Sequence, residues 1–143
     1  MLKDYLNYKK TTMYRLAKDN NIPYSNINSI ANAIIKADNI SSGLLYNIAR
    51  ALNVPMDELY LACGNNDMVY SEEYDSVGFI SESDNTYHVR FFHNMESIER
   101  DLCSVNDNST YFIHSIARWK IEDCLRDRKM KEMQYALLFD EKK

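Results

Sequence analysis

The chain holds few side chains that could carry out covalent or metal chemistry. None of its three histidines pairs with another histidine or a cysteine at the short spacing that metal sites require. His88 is expected on a strand face, and His114 on a helix, in structural or exposed roles. Three glycines cannot build a phosphate-binding loop, and no Gly-x-Ser-x-Gly elbow is present. We therefore predict that the protein is not an enzyme and holds no metal or cofactor.

The cysteines point to a reducing compartment. The chain has three widely spaced cysteines, Cys63, Cys103 and Cys124, and no Cys-x-x-Cys motif. An odd number of cysteines argues against a disulfide framework. We expect reduced, mostly buried thiols. No apolar run is long enough to span a bilayer, and the segment Met1–Leu6 lacks the pattern of a secretory signal. The sequence therefore predicts a cytoplasmic protein without membrane contact.

Charge and turn residues divide the chain in two. Residues 1–63 carry seven Lys and Arg against five Asp and Glu, whereas residues 64–143 carry ten against sixteen. Net charges of +2 and −6 suit a front half that touches DNA and an acidic back half. The polar cluster Cys63–Asp67 lies between them and contains turn formers. We predict domains at 1–63 and 68–143.

Apolar residues before this break recur at helical spacing, which predicts five short helices. Thr11 or Thr12 can cap the second helix, and Ser41 or Ser42 can cap the fourth. Asn20-Asn21 can end the second helix. Pro23 and Pro55 stand where proline favours a helix start. The inward-facing residues are expected to be Leu2, Tyr5, Leu6, Met13, Leu16, Ala17, Ile27, Ile30, Ala31, Leu44, Leu45, Ile48, Ala49, Leu52, Met56, Leu59 and Tyr60.

After the break the pattern changes to that of strands. Val77–Ser83 and Thr86–Phe92 are rich in aromatic and β-branched residues, and Asp84-Asn85 is a two-residue turn signal. Residues 97–105 fit a third strand or a helix, and the acidic run Glu72, Glu73, Asp75 fits a solvated linker. Helices are predicted at Ser109–Arg128 and Met130–Leu138. The fold class is therefore mainly α and α+β overall, with a hairpin or three-stranded sheet packed on helices.

The stretch Thr12–Ile30 resembles the helix-turn-helix of the lambda-repressor-like (Cro/repressor, XRE) family. Leu45–Leu59 is similar to the fourth and fifth helices of that family, so the resemblance covers about 60 residues. Two helices that cross steeply at a short turn need a small residue at the contact and one that tolerates positive φ in the turn. Ala17 and Asn21 meet these needs.

The resemblance implies which residues contact DNA. The start of the recognition helix and the residues one turn later would reach base edges, and nearby residues would face the backbone. The candidate DNA-binding residues are Tyr24, Ser25, Asn26, Asn28 and Ser29 on the recognition helix, Thr12 and Tyr14 facing the backbone, and Arg15, Lys18 and Lys36 as phosphate partners.

The sequence departs from the family pattern at two places, and each departure leads to a prediction. Ala33 stands where many relatives have glycine, so the recognition helix is expected to run longer. Residues 24–32 contain no Arg or Lys, so bidentate contacts from Arg to guanine are not available there.

The resemblance also implies a homodimer on double-stranded DNA, at an inverted-repeat operator. The back half could supply the dimer contact, because it contains aromatic residues large enough to anchor an interface. The alternative is that these aromatics fill the core beneath the sheet. They are Tyr111, Phe112, Trp119 and Tyr135.

Three functions fit these patterns. The first is a transcriptional repressor or autoregulator of phage or mobile-element type. The second is an inhibitor similar to some anti-CRISPR proteins, in which the back domain blocks an effector nuclease and the front domain autoregulates. Its acidic back half could occupy a positively charged nucleic-acid channel. The third is an antitoxin whose back domain wraps a toxin.

Overall fold

The structure is a computed structural model that describes residues 2–141, the last two of them by backbone alone. It has a mixed α+β architecture, with six α-helices and a four-stranded antiparallel sheet among these residues. The described chain divides into two compact units, and the boundary along the chain lies between Met68 and Val69. The first unit is helical, and the second contains the sheet and one long helix.

The first unit contains five α-helices and a short 3-10 helix at Ala37–Asn39. The helices are α1 (Leu2–Tyr8), α2 (Met13–Asn20), α3 (Tyr24–Ala31), α4 (Ser42–Leu52) and α5 (Met56–Cys63). Their apolar stripes are buried, and the large side chains that are covered most completely are Leu2, Tyr5, Ile27, Ile48 and Leu59. Met56 and Tyr60, predicted to face this core, are instead exposed.

Side-chain caps and left-handed residues set the helix ends. The hydroxyls of Thr12 and Ser41 accept hydrogen bonds from backbone N–H groups three residues later. Of the predicted candidates, Thr12 rather than Thr11 caps α2, and Ser41 rather than Ser42 caps α4. Asn21 and Asn53 adopt left-handed conformations after α2 and α4. In both cases the next N–H returns to a carbonyl five residues back, which satisfies the free end of the helix.

Helix α3 ends in the same way, but with alanine as its left-handed residue. It stops at Ala31, Ala33 has φ 57°, and the N–H of Ile34 bonds the carbonyl oxygen of Ser29 at 2.9 Å. The prediction that α3 runs longer is therefore wrong. The missing glycine does not extend the helix, because the hydrogen bonds that close it hold Ala33 in a conformation that alanine disfavours.

We expect Ala33→Gly to stabilise the protein by about 0.5–1 kcal/mol, because glycine adopts positive φ without a Cβ clash. The same change at Ala51, inside α4, should destabilise by up to about 1 kcal/mol. Urea denaturation of both variants checks the sign. Equal destabilisation by the two would show that Ala33 does not hold this conformation in solution.

The second unit is built on a sheet of order β1-β2-β3-β4, in which consecutive strands are neighbours. The strands are β1 (Asp67–Ser71), β2 (Ser76–Ser83), β3 (Thr86–His93) and β4 (Glu96–Ser104). The predicted hairpin of two or three strands is thus extended to four. The ambiguous segment 97–105 forms most of β4, and the acidic run at 72–75 is the tight turn between β1 and β2 rather than a linker.

Two-residue turns join the last three strands. Asp84 and Asn85 both have positive φ between the paired residues Ser83 and Thr86, which confirms the predicted hairpin. Asn94 and Met95 form a second turn of this kind between β3 and β4. The outer strands are poor templates for strand addition: β1 has five residues, and β4 presents exposed charges at Glu96, Glu99, Arg100 and Asp101.

One helix, α6 (Ile113–Glu141), covers a face of the sheet and follows a 3-10 helix at Asn108–Phe112. The two predicted helices are therefore a single helix of 29 residues. Ala117, Ile121 and Leu125 of α6 form one core with residues of all four strands, Val69, Ile80, Val89, Phe91 and Ile98. Two polar links add to it: the Ser71 hydroxyl donates to Glu122, and Arg128 donates twice to the Glu96 carboxylate, at 2.8 and 3.2 Å.

Candidate nucleic-acid interface

Helices α2 and α3 are joined by only three residues, Asn21 to Pro23. Asn21 has φ 54° and ψ 37°, and its N–H bonds the carbonyl oxygen of Ala17. The N–H of Ile22 bonds the same oxygen at 3.1 Å. Ala17 and Ile22 are both buried. The positive φ of Asn21 and the burial of Ala17 match the expectations for these two residues.

The predicted recognition residues differ in exposure. Tyr24 and Ser25, at the start of α3, are exposed. The other three, Asn26, Asn28 and Ser29, are half-buried. Their side chains are therefore less accessible to a binding partner than the prediction of an outward-facing helix surface assumed. The buried face of α3 consists of Ile27, Ile30 and Ala31, as predicted.

A chain of side-chain hydrogen bonds runs along the end of α3. The Asn32 amide donates to the Asn28 side-chain oxygen at 2.8 Å and to its backbone oxygen at 3.0 Å. The ammonium group of Lys3 donates to the Asn32 side-chain oxygen at 3.3 Å. Asn32 thereby fixes the orientation of the Asn28 side-chain amide. The oxygen of the Asn28 amide accepts from Asn32, so its nitrogen points away from Asn32.

Asn32 and Lys3 were not predicted as site residues. The spacing of four between Asn28 and Asn32 is a signal that could have indicated their pairing, because such residues are neighbours on a helix. Lys3 comes from α1, and its approach to α3 depends on tertiary packing that no local pattern reveals.

Helix α2 and the segment after α3 carry exposed cationic and aromatic groups. On α2, the Lys18 ammonium lies 5.8 Å from the centre of the Tyr14 ring, and the Tyr14 side chain is 63% exposed. Arg15 and Lys36 are also exposed. Thr12 contributes differently, because its hydroxyl oxygen accepts the N–H of Arg15 at 3.2 Å as the cap of α2. Arg15, Lys18 and Lys36 are thus the predicted phosphate partners whose side chains are accessible to solvent.

The four aromatic residues predicted for an interface all face solvent. Tyr111 is 90% exposed, and Phe112, Trp119 and Tyr135 are each more than half exposed. The alternative that they fill the core beneath the sheet is therefore wrong. Smaller side chains of α6, such as Ala117 and Ile121, occupy that core.

A serine, a histidine and an aspartate meet on the exposed surface of the sheet. His88 Nδ1 lies 2.7 Å from an Asp101 carboxylate oxygen, and His88 Nε2 lies 2.9 Å from the Ser83 hydroxyl. The hydrogen bond to Asp101 raises the pKa of His88. The Asp101 side chain is 80% exposed, whereas a catalytic triad relies on a buried carboxylate to orient the base. We interpret this group as a cross-strand connection.

The cysteines are free and half-buried, rather than mostly buried as predicted. Burial raises the pKa of the Cys63 thiol to about 12, so it stays protonated at neutral pH. Within residues 2–141 there is no cluster of three or more side chains suited to hold a metal ion. No helix in this part of the chain is long and apolar enough to cross a membrane.

Comparison with known proteins gave no similar protein: no family model, no curated protein and no solved structure matches this chain.

Proposed function

We propose that the protein is a sequence-specific DNA-binding transcriptional regulator whose first unit is a five-helix, lambda-repressor-like helix-turn-helix domain. The observation that supports this most is the turn at Asn21 between α2 and α3, closed on the Ala17 carbonyl. Such a turn lets the start of the second helix enter a major groove while the first helix crosses the backbone. Tyr24 and Ser25 lie at that start and are exposed.

The proposed mode of reading relies on amides, hydroxyls and aromatic rings. Asn26 can form paired hydrogen bonds with adenine, and Tyr24 can pack on a thymine methyl group or bond a phosphate. Asn28, held by Asn32, would offer its amide nitrogen as a donor. Because residues 24–32 contain no Arg or Lys, the contrast between specific and non-specific sites depends on these neutral groups.

Affinity in this proposal comes from few phosphate contacts. Arg15, Lys18 and Lys36 are the exposed cations assigned to the backbone. With about three to five phosphates neutralised per subunit, a dimer has a slope of log affinity against log salt of about −5 to −9.

We expect two substitutions to act differently on binding. Asn26→Ala should weaken specific binding by about 5- to 30-fold and leave the salt slope unchanged, because it removes a base contact. Lys18→Ala should weaken binding to all sequences and reduce the slope by about 2 in a dimer, because it removes one phosphate contact per subunit. Fluorescence anisotropy on inverted-repeat DNA from the gene's own promoter region measures both.

Lys131→Ala serves as the control for loss of a positive charge, because Lys131 lies on α6 and pairs with Asp127. It should change neither affinity nor slope. Weak binding of the unchanged protein, equal for all sequences at moderate salt, would contradict the proposed function.

A protein-directed inhibitor, similar to some anti-CRISPR proteins, is the second candidate. The observation that favours it is the acidity of residues 64–143, where three carboxylates at Glu72, Glu73 and Glu122 line one cleft beside Arg118. Such a surface could occupy the positively charged channel of a nuclease. Co-purification of the intact chain with an effector nuclease, and its loss on substituting Glu72 and Glu73 with Gln, would support this function.

A further inference from the structure

Helix α6 exposes large apolar side chains at both of its ends. Trp119 near its start is 59% exposed and Leu137 near its end is 62% exposed. Ala117, Ile121 and Leu125 face the sheet, and at about 100° per residue Trp119, Met130 and Leu137 lie on the opposite side of the helix. Since α6 forms the outer layer of its unit, the sheet beneath it cannot cover these residues.

The spacing along this outer side follows a heptad repeat. Starting from the residue just before α6, the intervals alternate between four and three, which is the pattern that packs one helix along another. We call this set the outer stripe. Its members are Phe112, Ile116, Trp119, Asp123, Arg126, Met130, Met133 and Leu137.

The outer stripe is complementary to itself when two copies run antiparallel. In the register that pairs Trp119 with the partner's Met130, Ile116 faces the partner's Met133 and Phe112 faces the partner's Leu137. At the centre, Asp123 faces the partner's Arg126, so opposite charges meet twice across the two-fold axis. A parallel alignment would place Asp123 against the partner's Asp123, and Arg126 against its own copy, which is unfavourable.

The exposed area matches what such a pair requires. Phe112, Trp119, Met130, Met133 and Leu137 are each more than half exposed. With about 150–250 Å² for each large side chain, they leave roughly 600 Å² of apolar surface in water, and about 65% of a homodimer interface is apolar. A standard interface uses about 800 Å² from each partner.

We propose that the outer stripe is a dimer interface and that its occupant is a second copy of this chain, bound antiparallel through α6. The inference rests on the proposed function for its purpose, since a regulator that reads an inverted repeat needs two recognition helices related by a two-fold axis. The exposure, the heptad spacing and the charges of the outer stripe support the interface independently of that function.

Sedimentation equilibrium of the full chain tests the interface. We expect a mass of about twice 16.8 kDa. Met130→Glu should raise the dimer dissociation constant by at least about 30-fold, because it places a charge against the partner's Trp119. Lys131→Gln, which shifts the net charge by the same amount on another side of α6, should have little effect. Far-UV circular dichroism shows that each variant is folded.

Exchange of the central charges tests the register. Asp123→Arg alone and Arg126→Asp alone should each weaken the dimer by about 10-fold or more, and the double variant should restore it. Trp119 is the only tryptophan, so its fluorescence should shift to shorter wavelength in the dimer and return on dilution.

Several results would overturn the inference: a monomeric wild-type chain, a dimer that tolerates Met130→Glu, or a charge exchange without rescue. Its failure is separable from that of the proposed function. A dimer that does not bind DNA specifically would contradict only the proposed function. A monomer that binds the promoter specifically would contradict only the proposed dimer interface.

Discussion

Tyr5→Phe should lower the free energy of unfolding by about 2–3 kcal/mol at pH 7, because it removes the hydrogen bond that satisfies a buried carboxylate. The Tyr5 hydroxyl donates to Glu58, which joins α1 to α5 within the first unit. Tyr5 is fully buried, and Glu58 is 5% exposed. The Lys9 ammonium, 3.9 Å from the Glu58 carboxylate, is a weaker partner at the edge of this site.

The effect of this substitution should depend on pH. Desolvation by burial raises the pKa of Glu58, and the hydrogen bond from Tyr5 opposes that rise. Without the hydroxyl, the folded-state pKa should rise further above its unfolded value of about 4.5. The folded state of the variant then binds the proton of Glu58 more tightly than the unfolded state does. Its stability therefore increases as the pH falls toward the unfolded-state pKa. The loss measured at pH 7 should therefore become smaller at pH 5.

Urea denaturation of three variants and the unchanged protein at both pH values makes this test specific. Tyr14→Phe removes a hydroxyl from an exposed ring and should change stability by less than about 0.5 kcal/mol. Glu58→Gln keeps an acceptor for Tyr5 without a charge, so its stability should vary less between pH 5 and pH 7 than that of the unchanged protein. Equal effects of Tyr5→Phe and Tyr14→Phe would show that the buried pair does not stabilise the fold.

The second large effect is expected at Gly78, where the Ile121 side chain of α6 packs against the sheet. A Cβ atom there would lie 2.9 Å from Ile121 Cδ1, 3.0 Å from Val89 Cγ2 and 3.2 Å from Phe91 Cβ. Phe91 and Val89 are fully buried and cannot move without disturbing the core. Gly78→Ala should therefore destabilise the protein by about 1–3 kcal/mol, as measured by thermal or urea denaturation.

Two controls separate this crowding from a general effect of removing glycine. Gly43→Ala, on α4 with no atom within 4 Å of the added Cβ, should be neutral or stabilising. Ile121→Val removes the methyl group nearest to Gly78 and should recover part of the loss when it is combined with Gly78→Ala. If the double variant is as unstable as the two separate losses added together, the steric explanation is wrong.

The elements that could be predicted from the sequence are those that local chemistry specifies. Thr12, Ser41 and Asn21 act as caps because their short polar side chains satisfy helix ends or tolerate positive φ. The hairpin at Asp84-Asn85 is predictable for the same reason. Each of these signals lies within a few residues of the structure it specifies.

The elements that could not be predicted are those that depend on tertiary contacts. Ala33 and Met95 hold left-handed conformations that their side chains disfavour, so neither the end of α3 nor the second hairpin has a local signal. Separate helices were predicted on the two sides of Lys129, although lysine and arginine are good helix formers and α6 continues through them. At the candidate interface, the exposure of Tyr24 matches the prediction, whereas the involvement of Asn28 with Asn32 and Lys3 does not.

The charged outer strand β4 has a consequence for how large an assembly can grow. Strand addition at an open sheet edge can repeat without limit and produce filaments, but exposed charges along β4 oppose it. In the proposed two-fold contact through α6, each copy covers the outer stripe of the other, so no stripe is left to bind a third copy. Association of this chain should therefore stop at a closed pair, even at concentrations where an unprotected sheet would polymerise.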